Sequence, residues 1–230
     1  MTKNGRLLYV VGPSGSGKDT LIETARRTLP DTVDVKVARR TITRPVSHGA
    51  EQHLAVSEYQ FDLLAAAGEF VLHWQANGLR YGIGREVLRW LKDGATVVVN
   101  GSRLHVGEAL AAFPDIEVVH VTASSEACRQ RMAIRAREDA AHIEERLARA
   151  RDWQPPAGVR VVELVNESTP GVAAHALQQL LVRGFGAWTP ELIDRTRPAP
   201  PERSAARPRA PLPHRARRRT AADSSLGSRR

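Results

Sequence analysis

A glycine-rich segment near the start of the chain has the residue types and spacing of a phosphate-binding loop. Gly12 and Gly17 flank four residues, and Lys18 follows directly, in the pattern G-x-x-x-x-G-K. Glycines here let the backbone wrap an anion and turn its N–H groups inward, while the lysine neutralises β- and γ-phosphate charge. We therefore predict an ATP site with Lys18 as a catalytic residue. Its loop residues are Gly12, Pro13, Ser14, Gly15, Ser16, Gly17 and Lys18.

The position after the lysine departs from the usual pattern. A Ser or Thr hydroxyl that ligates Mg²⁺ is common there, whereas this chain has Asp19 followed by Thr20. Asp19 could contact Mg²⁺ through water, Thr20 could supply the hydroxyl, or Asp19 could simply favour the start of a helix electrostatically. Both residues are predicted to contact ATP. Both are also candidate ligands of an Mg²⁺ ion that is held mainly by the nucleotide phosphates and by water molecules.

Cationic and polar residues that could hold a second, anionic substrate occur in two further places. One is the stretch after the second predicted strand, where an acceptor-binding insert would sit. The other is the carboxyl end of the third predicted core strand, which faces the ligand crevice in open α/β sheets. The residues predicted to bind the acceptor are Arg44, His53, Tyr81, Asn100, Ser102 and Arg103.

An arginine-rich helical segment spans about residues 126–151, and we predict a break in it near 137–140. It carries enough arginines for a lid that closes cations over the transferring phosphate. For any single arginine, however, a solvated helix face is an equally good explanation. The residues alone therefore leave the role of each of these arginines open.

The elements that must position these residues alternate along the chain. Apolar, β-branched runs predict strands at 6–11, 33–38, 95–99, 116–121 and 159–165, and periodic patterns predict helices at 18–29, 57–67, 85–91, 104–113 and 171–182. A turn at Asn77-Gly78 predicts a hairpin between 70–75 and 79–82. Alternating strands and helices imply right-handed crossovers and a parallel sheet covered on both faces. The predicted fold class is three-layer α/β.

The net charge of +9 is distributed unevenly. Residues 1–194 carry 23 basic and 23 acidic side chains, whereas residues 195–230 carry 11 arginines against Glu202 and Asp223. We predict that 1–194 is one kinase domain and that the Arg/Pro-rich tail, 195–230, is disordered. The tail could be a dispensable extension or a weak, salt-sensitive site for an acidic partner. Nothing in the charge of 1–194 indicates nucleic-acid binding.

Cysteine content and hydropathy indicate the compartment in which the protein is expected and whether it is expected to contact a membrane. The single cysteine, Cys128, excludes an internal disulfide framework, which favours the reducing cytoplasm. No apolar stretch approaches the roughly 18 residues of a membrane span, so no membrane partner is predicted. Whether the chain forms a homodimer is left open by the sequence.

The order of motifs over about residues 5–184 resembles the guanylate kinase superfamily. The matching segments are Gly12–Lys18, Thr43-Arg44-Pro45, Gly68-Glu69-Phe70, Tyr81-Gly82 and Arg146-Leu147. The resemblance implies a P-loop nucleoside-monophosphate-kinase-like fold with a parallel core sheet. It also implies an acceptor-binding insert at about 39–83 and a helical lid at about 131–150.

Several segments are closer still to one branch of that superfamily, the ribose 1,5-bisphosphate phosphokinases of bacterial phosphonate breakdown. They are Gly17–Thr20, Ile42–Arg44, Trp74–Leu79, Tyr81-Gly82, Val99–Arg103 and Glu144–Ala150. This resemblance implies an enzyme that uses ATP and Mg²⁺ to phosphorylate the 1-phosphate of ribose 1,5-bisphosphate. The products are 5-phospho-α-D-ribose 1-diphosphate and ADP.

The resemblance also implies roles for residues that spacing alone does not resolve. Arg135 and Arg146 would act in catalysis, and Arg137 would bind the acceptor. Arg131 would contact ATP, and Asn166 would lie near the adenine. Arg44 would bind an acceptor phosphate.

Departures from true guanylate kinases bear on the acceptor. Those enzymes read the base with a carboxylate and a hydroxyl at positions that are here Leu72 and Ile83, and neither side chain can hydrogen-bond guanine. A nucleoside monophosphate kinase of other base specificity remains one alternative. A non-catalytic guanylate-kinase-like interaction module is another, although such modules tend to lose the glycines and lysine retained at Gly12, Gly17 and Lys18.

Overall fold

A computed structural model describes residues 5–45, 53–134, 140–148, 153–167 and 170–187. The chain divides into two units, Met1–Pro198 and Ala199–Arg230, and all the described residues lie in the first. The predicted disordered tail, the predicted break in the lid, Arg135 and Arg137 lie outside the described residues.

The described elements alternate between strand and helix over most of their length. In chain order they are β1 Arg6–Val11, α1 Lys18–Arg27, β2 Val35–Val37, β3 Arg40–Ile42, β4 Leu54–Ala55, α2 Glu58–Ala66, β5 Phe70–Ala76, β6 Leu79–Gly84, α3 Glu86–Lys92, β7 Thr96–Asn100, α4 Val106–Ala112, β8 Glu117–Thr122, α5 Ser125–Ile134, α6 Ala140–Ala148, β9 Val161–Val165 and α7 Pro170–Arg183. Short 3₁₀ turns occur at Arg103–His105 and Phe185–Ala187.

The core sheet contains five strands in the order β2-β7-β1-β8-β9, and every pairing within it is parallel. Alternate residues of β1 point to opposite faces, as the two-residue period of a strand requires. Leu8 and Val10 pack with α1 and α7, whereas Leu7 and Tyr9 pack towards α4 and the second sheet. The predicted three-layer α/β class with a parallel core is confirmed.

A second sheet, ordered β4-β3-β6-β5, forms the insert between the second and third core strands in the chain. β5 and β6 pair antiparallel around Asn77 and Gly78, whose φ angles are 51° and 71°. Positive φ at both central residues is the geometry that an Asn-Gly hairpin turn adopts. The predicted hairpin is therefore confirmed. β3, which pairs with β6, lies in a stretch where the sequence patterns predicted no strand.

Capping residues mark the points at which α2 and α5 begin. α2 begins with a capping box in which the Ser57 side chain accepts from the Gln60 N–H and the Gln60 side chain accepts from the Ser57 N–H. The Ser124 hydroxyl accepts from the Ala127 N–H at 3.2 Å, so Ser124 caps α5. None of the described helices is long and apolar enough to cross a membrane.

Helices α5 and α6 share a small apolar cluster. Cys128 and Met132 of α5 pack with Ile143 and Leu147 of α6, and all four are buried. Cys128 is thus a small buried hydrophobe, and burial raises the pKa of its thiol. The cluster is separate from the two larger clusters on the faces of the core sheet.

Candidate active site

The phosphate-binding loop joins the carboxyl end of β1 to the first turn of α1. Its backbone turns through left-handed conformations at Gly15 and Gly17, with φ of 79° and 85°. A Cβ at Gly15 would lie 2.6 Å from the Cys128 carbonyl oxygen, and one at Gly17 would lie 2.5 Å from Asn166 Nδ2. Glycine is therefore required at both positions by backbone conformation and by close neighbours.

The Lys18 ammonium lies within this loop. Its Nζ donates to the carbonyl oxygens of Gly12 and Pro13, each at 2.9 Å. Burial lowers the pKa of Lys18 to about 8, although the Asp19 carboxylate acts in the opposite direction. The loop thus concentrates one partly desolvated positive charge where phosphate groups are expected.

Asp19 connects the loop to the insert and to the end of a core strand. Its Oδ1 accepts from the Asn100 side-chain amide and lies 3.3 Å from Arg40 Nη2. Arg40, which begins β3, also donates to the Asn100 carbonyl oxygen at 3.4 Å. The predicted residues Asp19 and Asn100 are therefore in direct contact, and Arg40 joins them as a residue that sequence reasoning missed.

Asn166 and Arg131 lie beneath the loop. Asn166 is 4% exposed, and its Nδ2 donates to the Ser16 carbonyl oxygen at 2.7 Å. Arg131 Nη2 donates to the carbonyl oxygens of Asn166 and Glu167 at 2.9 and 3.2 Å. The hydrogen bond from Asn166 to Ser16 links the end of β9 to the phosphate-binding loop. The adenine contact expected for Asn166 stays a prediction.

The predicted lid contacts the phosphate-binding loop through α6. Arg146 Nε donates to Ser14 Oγ at 3.1 Å, and its Nη2 donates to the same oxygen. The guanidinium of this predicted catalytic residue therefore lies against the phosphate loop. Its suggested partners Arg135 and Arg137 lie outside the part of the chain that the structure describes.

Arg44 and His53, two residues predicted to bind the acceptor, lie in direct contact. Arg44 Nη2 lies 3.5 Å from His53 Nδ1, and His53 Nε2 lies 3.2 Å from the Arg44 carbonyl oxygen.

Tyr81 stacks on Trp74 with their ring centroids 5.4 Å apart, and the Arg40 guanidinium lies 5.5 Å from the Tyr81 ring centre. Tyr81 is thus fixed between an aromatic ring and a cation.

The segment after β7 is supported from the core. Tyr9 is fully buried, and its hydroxyl accepts from the Ser102 N–H at 3.2 Å, while burial raises the pKa of Tyr9 to about 12. A Cβ on Gly101 would lie 2.1 Å from the Tyr9 ring. The Trp153 indole N–H donates to the Arg103 carbonyl oxygen at 3.0 Å. The backbone of Ser102 and Arg103 is therefore held at the carboxyl edge of the core sheet.

A cavity of about 270 Å³ lies beside the loop and beneath the lid helices. It is lined by residues that include Pro13, Arg103, His120, Cys128, Leu147 and Trp153. Burial, followed by the charges of Arg103 and Lys18, lowers the pKa of His120 to about 4. His120 is therefore neutral near pH 7, and its ring packs edge-on against Trp153 with centroids 4.7 Å apart. No sequence pattern predicts this contact.

An Mg²⁺ ion that is held mainly by nucleotide phosphates, with Asp19 and Thr20 as candidate ligands, stays a prediction. Among the described residues there is no group of three or more His, Cys, Asp or Glu side chains placed to hold a metal ion by themselves. The Asp19 carboxylate stands one residue after Lys18, beside the Thr20 hydroxyl group in the chain. One carboxylate with phosphates and waters is the usual manner in which proteins hold Mg²⁺.

Two relatives similar to this chain are both ribose 1,5-bisphosphate phosphokinases. The chain is 44% identical over 177 residues to the ribose 1,5-bisphosphate phosphokinase PhnN of Thiobacillus denitrificans, a match that covers 77% of this chain and 93% of that protein. It is 46% identical over 182 residues to PhnN of Chromobacterium violaceum, covering 79% of this chain and 96% of that protein. No protein-family model matches the chain.

A solved structure supports the fold. A guanylate kinase from Anaplasma phagocytophilum superposes with a TM-score of 0.53 at 17% identity, over 78% of this chain and 86% of that one. At this identity the likeness concerns the fold alone. The high identity to the curated relatives over nearly their full length decides the family, and the chain belongs to the ribose 1,5-bisphosphate phosphokinases.

Proposed function

We propose that the protein transfers the γ-phosphoryl group of ATP to the 1-phosphate of ribose 1,5-bisphosphate. The products are 5-phospho-α-D-ribose 1-diphosphate and ADP. Relatives of 44% and 46% identity are named for phosphorylation of this sugar bisphosphate. The observation on the molecule that carries the proposal is the pair Leu72 and Ile83, which are 8% and 0% exposed. This buried apolar pair stands where guanylate kinases read a base.

The donor side supplies a preorganised anion site. On ATP binding we expect Lys18 Nζ to exchange the carbonyl oxygens of Gly12 and Pro13 for β- and γ-phosphate oxygens. The backbone N–H groups of the loop and the start of α1 provide the remaining positive potential. Asp19 and Thr20 are the residues that would help to hold Mg²⁺, which neutralises phosphate charge when bound.

The acceptor chemistry needs little from the protein beyond position and charge. An ionised oxygen of the 1-phosphate forms a new bond to the γ-phosphorus, while the bond from that phosphorus to the β-phosphate oxygen breaks and ADP leaves. The nucleophile is already an anion at neutral pH, so no general base is required. Arg44 on the acceptor side and Arg146, which contacts the loop from α6, offset the repulsion between the two substrates.

Identification of the product tests the proposal. The purified protein is incubated with ATP, Mg²⁺ and ribose 1,5-bisphosphate, and the products are followed by ³¹P NMR. We expect a diphosphate signal on C1 of the sugar to appear together with ADP, and Lys18→Met to abolish both. Turnover of ATP to ADP with no diphosphorylated sugar would contradict the proposal.

The wider setting is also proposed from the family alone. We propose that the reaction belongs to phosphonate breakdown in the cytoplasm. The role of residues 195–230 and the formation of a homodimer stay predictions.

A further inference from the structure

Arg40, Ile83 and Leu72 form one row across the insert sheet. Arg40 of β3 pairs with Ile83 of β6, and Ile83 pairs in turn with Leu72 of β5. Ile83 and Leu72 are both buried, and neither side chain can form a hydrogen bond. Any polar recognition along this row must therefore come from Arg40.

The Arg40 guanidinium lies between the phosphate loop and the insert. It contacts Asp19 Oδ1 at 3.3 Å and the Asn100 carbonyl oxygen at 3.4 Å, and it lies over the Tyr81 ring. Its side chain is 12% exposed. A guanidinium held in this manner loses little freedom when it binds an anion, so its position favours recognition of a planar or tetrahedral oxyanion.

A sugar bisphosphate needs cations at two separate positions, whereas a nucleoside monophosphate needs them at one. The first position is the pair Arg44 and His53, which lies past the carboxyl end of β3. The resemblance to guanylate kinases implies that Arg44 binds an acceptor phosphate, which here is the reacting 1-phosphate. Arg40 lies at the amino end of the same strand, opposite Ile83. The resemblance to guanylate kinases implies that the position of Ile83 lies beside the end of the acceptor away from its reacting phosphate.

We propose that Arg40 binds the 5-phosphate of the acceptor and so selects a bisphosphorylated sugar over a nucleoside monophosphate. This inference rests on the proposed function. Before the acceptor arrives, Asp19 neutralises the partly buried guanidinium. The phosphate then binds through charge-assisted N–H bonds, which are about twice as strong as neutral ones.

A binding cycle between the side chain and the ligand tests the proposal. Isothermal titration without ATP compares ribose 1,5-bisphosphate, ribose 5-phosphate and ribose 1-phosphate on the unaltered protein, Arg40→Gln and Arg40→Lys. We expect Arg40→Gln to weaken the two ligands that carry a 5-phosphate by about 10- to 100-fold and ribose 1-phosphate less than about twofold. Arg40→Lys keeps the charge but loses the fork, so an intermediate loss is expected.

Arg39→Gln is the matched control. Arg39 is exposed, and its substitution removes the same charge one position earlier in the chain. The affinity of the Arg39→Gln protein for all three ligands should therefore be unchanged. An equal loss for all three ligands in Arg40→Gln, or no loss for ribose 5-phosphate, would overturn the role of Arg40. If Arg40→Gln does not fold, Arg40→Lys gives the same comparison. Failure of the unaltered protein to phosphorylate ribose 1,5-bisphosphate would count against the proposed function instead.

Discussion

Replacement of Asn166 by alanine tests how the phosphate loop is held. Its Nδ2 donates to the Ser16 carbonyl oxygen at 2.7 Å, and its backbone N–H donates to the Thr122 carbonyl oxygen at 2.8 Å. Ser16 and Asn166 are 0% and 4% exposed. Because the backbone contact survives in Asn166→Ala, the substitution removes only the side-chain link between the loop and β9.

The magnitude follows from the burial of the acceptor left behind. A buried carbonyl oxygen that loses its partner costs about 1–3 kcal/mol, so the free energy of unfolding should fall by that amount. If about 1 kcal/mol of this loss reflects a loosened loop that ATP must reorder, ATP affinity should fall about fivefold. Chemical denaturation in urea measures the first quantity, and titration with ATP measures the second.

The nucleotide series separates a bracing role from an adenine contact. A residue that braces the loop should weaken ATP and GTP binding by the same factor, whereas a residue that contacts the adenine should weaken ATP alone. Gln75→Ala, which removes an exposed amide from the insert hairpin, should change neither stability nor affinity. Unchanged stability in Asn166→Ala would refute the bracing argument, and a loss confined to ATP would restore the adenine contact.

Three further predictions concern charge and packing around the loop. The free protein should lose ATP affinity as the pH rises through about 8, because Lys18 then gives up its proton, and titrations from pH 6.5 to 9.5 should show no such change in Lys18→Met. Gly101→Ala should lower the free energy of unfolding by about 1–3 kcal/mol in urea, since its Cβ would overlap the buried Tyr9 ring, and adding Tyr9→Leu should restore part of that loss. His120 has a pKa of about 4 in the folded protein, below its unfolded value, so the unfolded chain takes up a proton first and the free energy of unfolding should fall between about pH 6.5 and pH 4. Because the imidazole is partly exposed, solvent screening limits the contribution of His120 to this fall in stability. We therefore expect His120→Phe to reduce the fall by only about 1 kcal/mol.

The contradicting results are specific to each change. ATP affinity that is independent of pH from 6.5 to 9.5 would mean that Lys18 stays charged across this range. Full stability of Gly101→Ala would mean that the Tyr9 ring can move away without cost. An identical pH dependence in His120→Phe and the unaltered protein would assign the acid sensitivity to other groups.

Local sequence patterns predict most of the fold. The glycine spacing at Gly12 and Gly17, the capping box at Ser57 and the turn at Asn77-Gly78 each act within a few residues, so their structure could be predicted from sequence alone. The β-branched runs of the core strands are also local patterns, and they gave the parallel sheet. Boundaries shifted by one or two residues, as at β9, which begins at Val161 rather than 159.

The parts that could not be predicted depend on contacts between distant residues. β3 is only three residues long and has no apolar alternation of its own, so only its pairing with β6 makes it a strand. The contact of Arg40 with Asp19 joins residues of two different layers. Likewise, nothing in the sequence near His120 indicates that Trp153 packs against it. Such pairings are decided by tertiary structure rather than by local pattern.

The acceptor side shows the same division. The positions Leu72 and Ile83 could be compared with guanylate kinases one by one, which predicted the loss of base recognition. That the two residues lie opposite each other, with Arg40 as the third member of the row, required the register of the insert sheet. The sequence therefore indicated what the acceptor lacks, and the structure adds the residue proposed to bind its 5-phosphate.

The ratio of kcat/KM for ribose 1,5-bisphosphate to that for GMP, measured by coupled release of ADP at saturating MgATP, tests the central claim most directly. The buried pair Leu72 and Ile83 offers guanine no hydrogen bond, and a site built for polar recognition commonly discriminates by about 10⁴-fold or more. We predict a ratio of at least about 10³ in favour of the sugar bisphosphate. A ratio near or below one would contradict the account and identify the protein as a nucleoside monophosphate kinase.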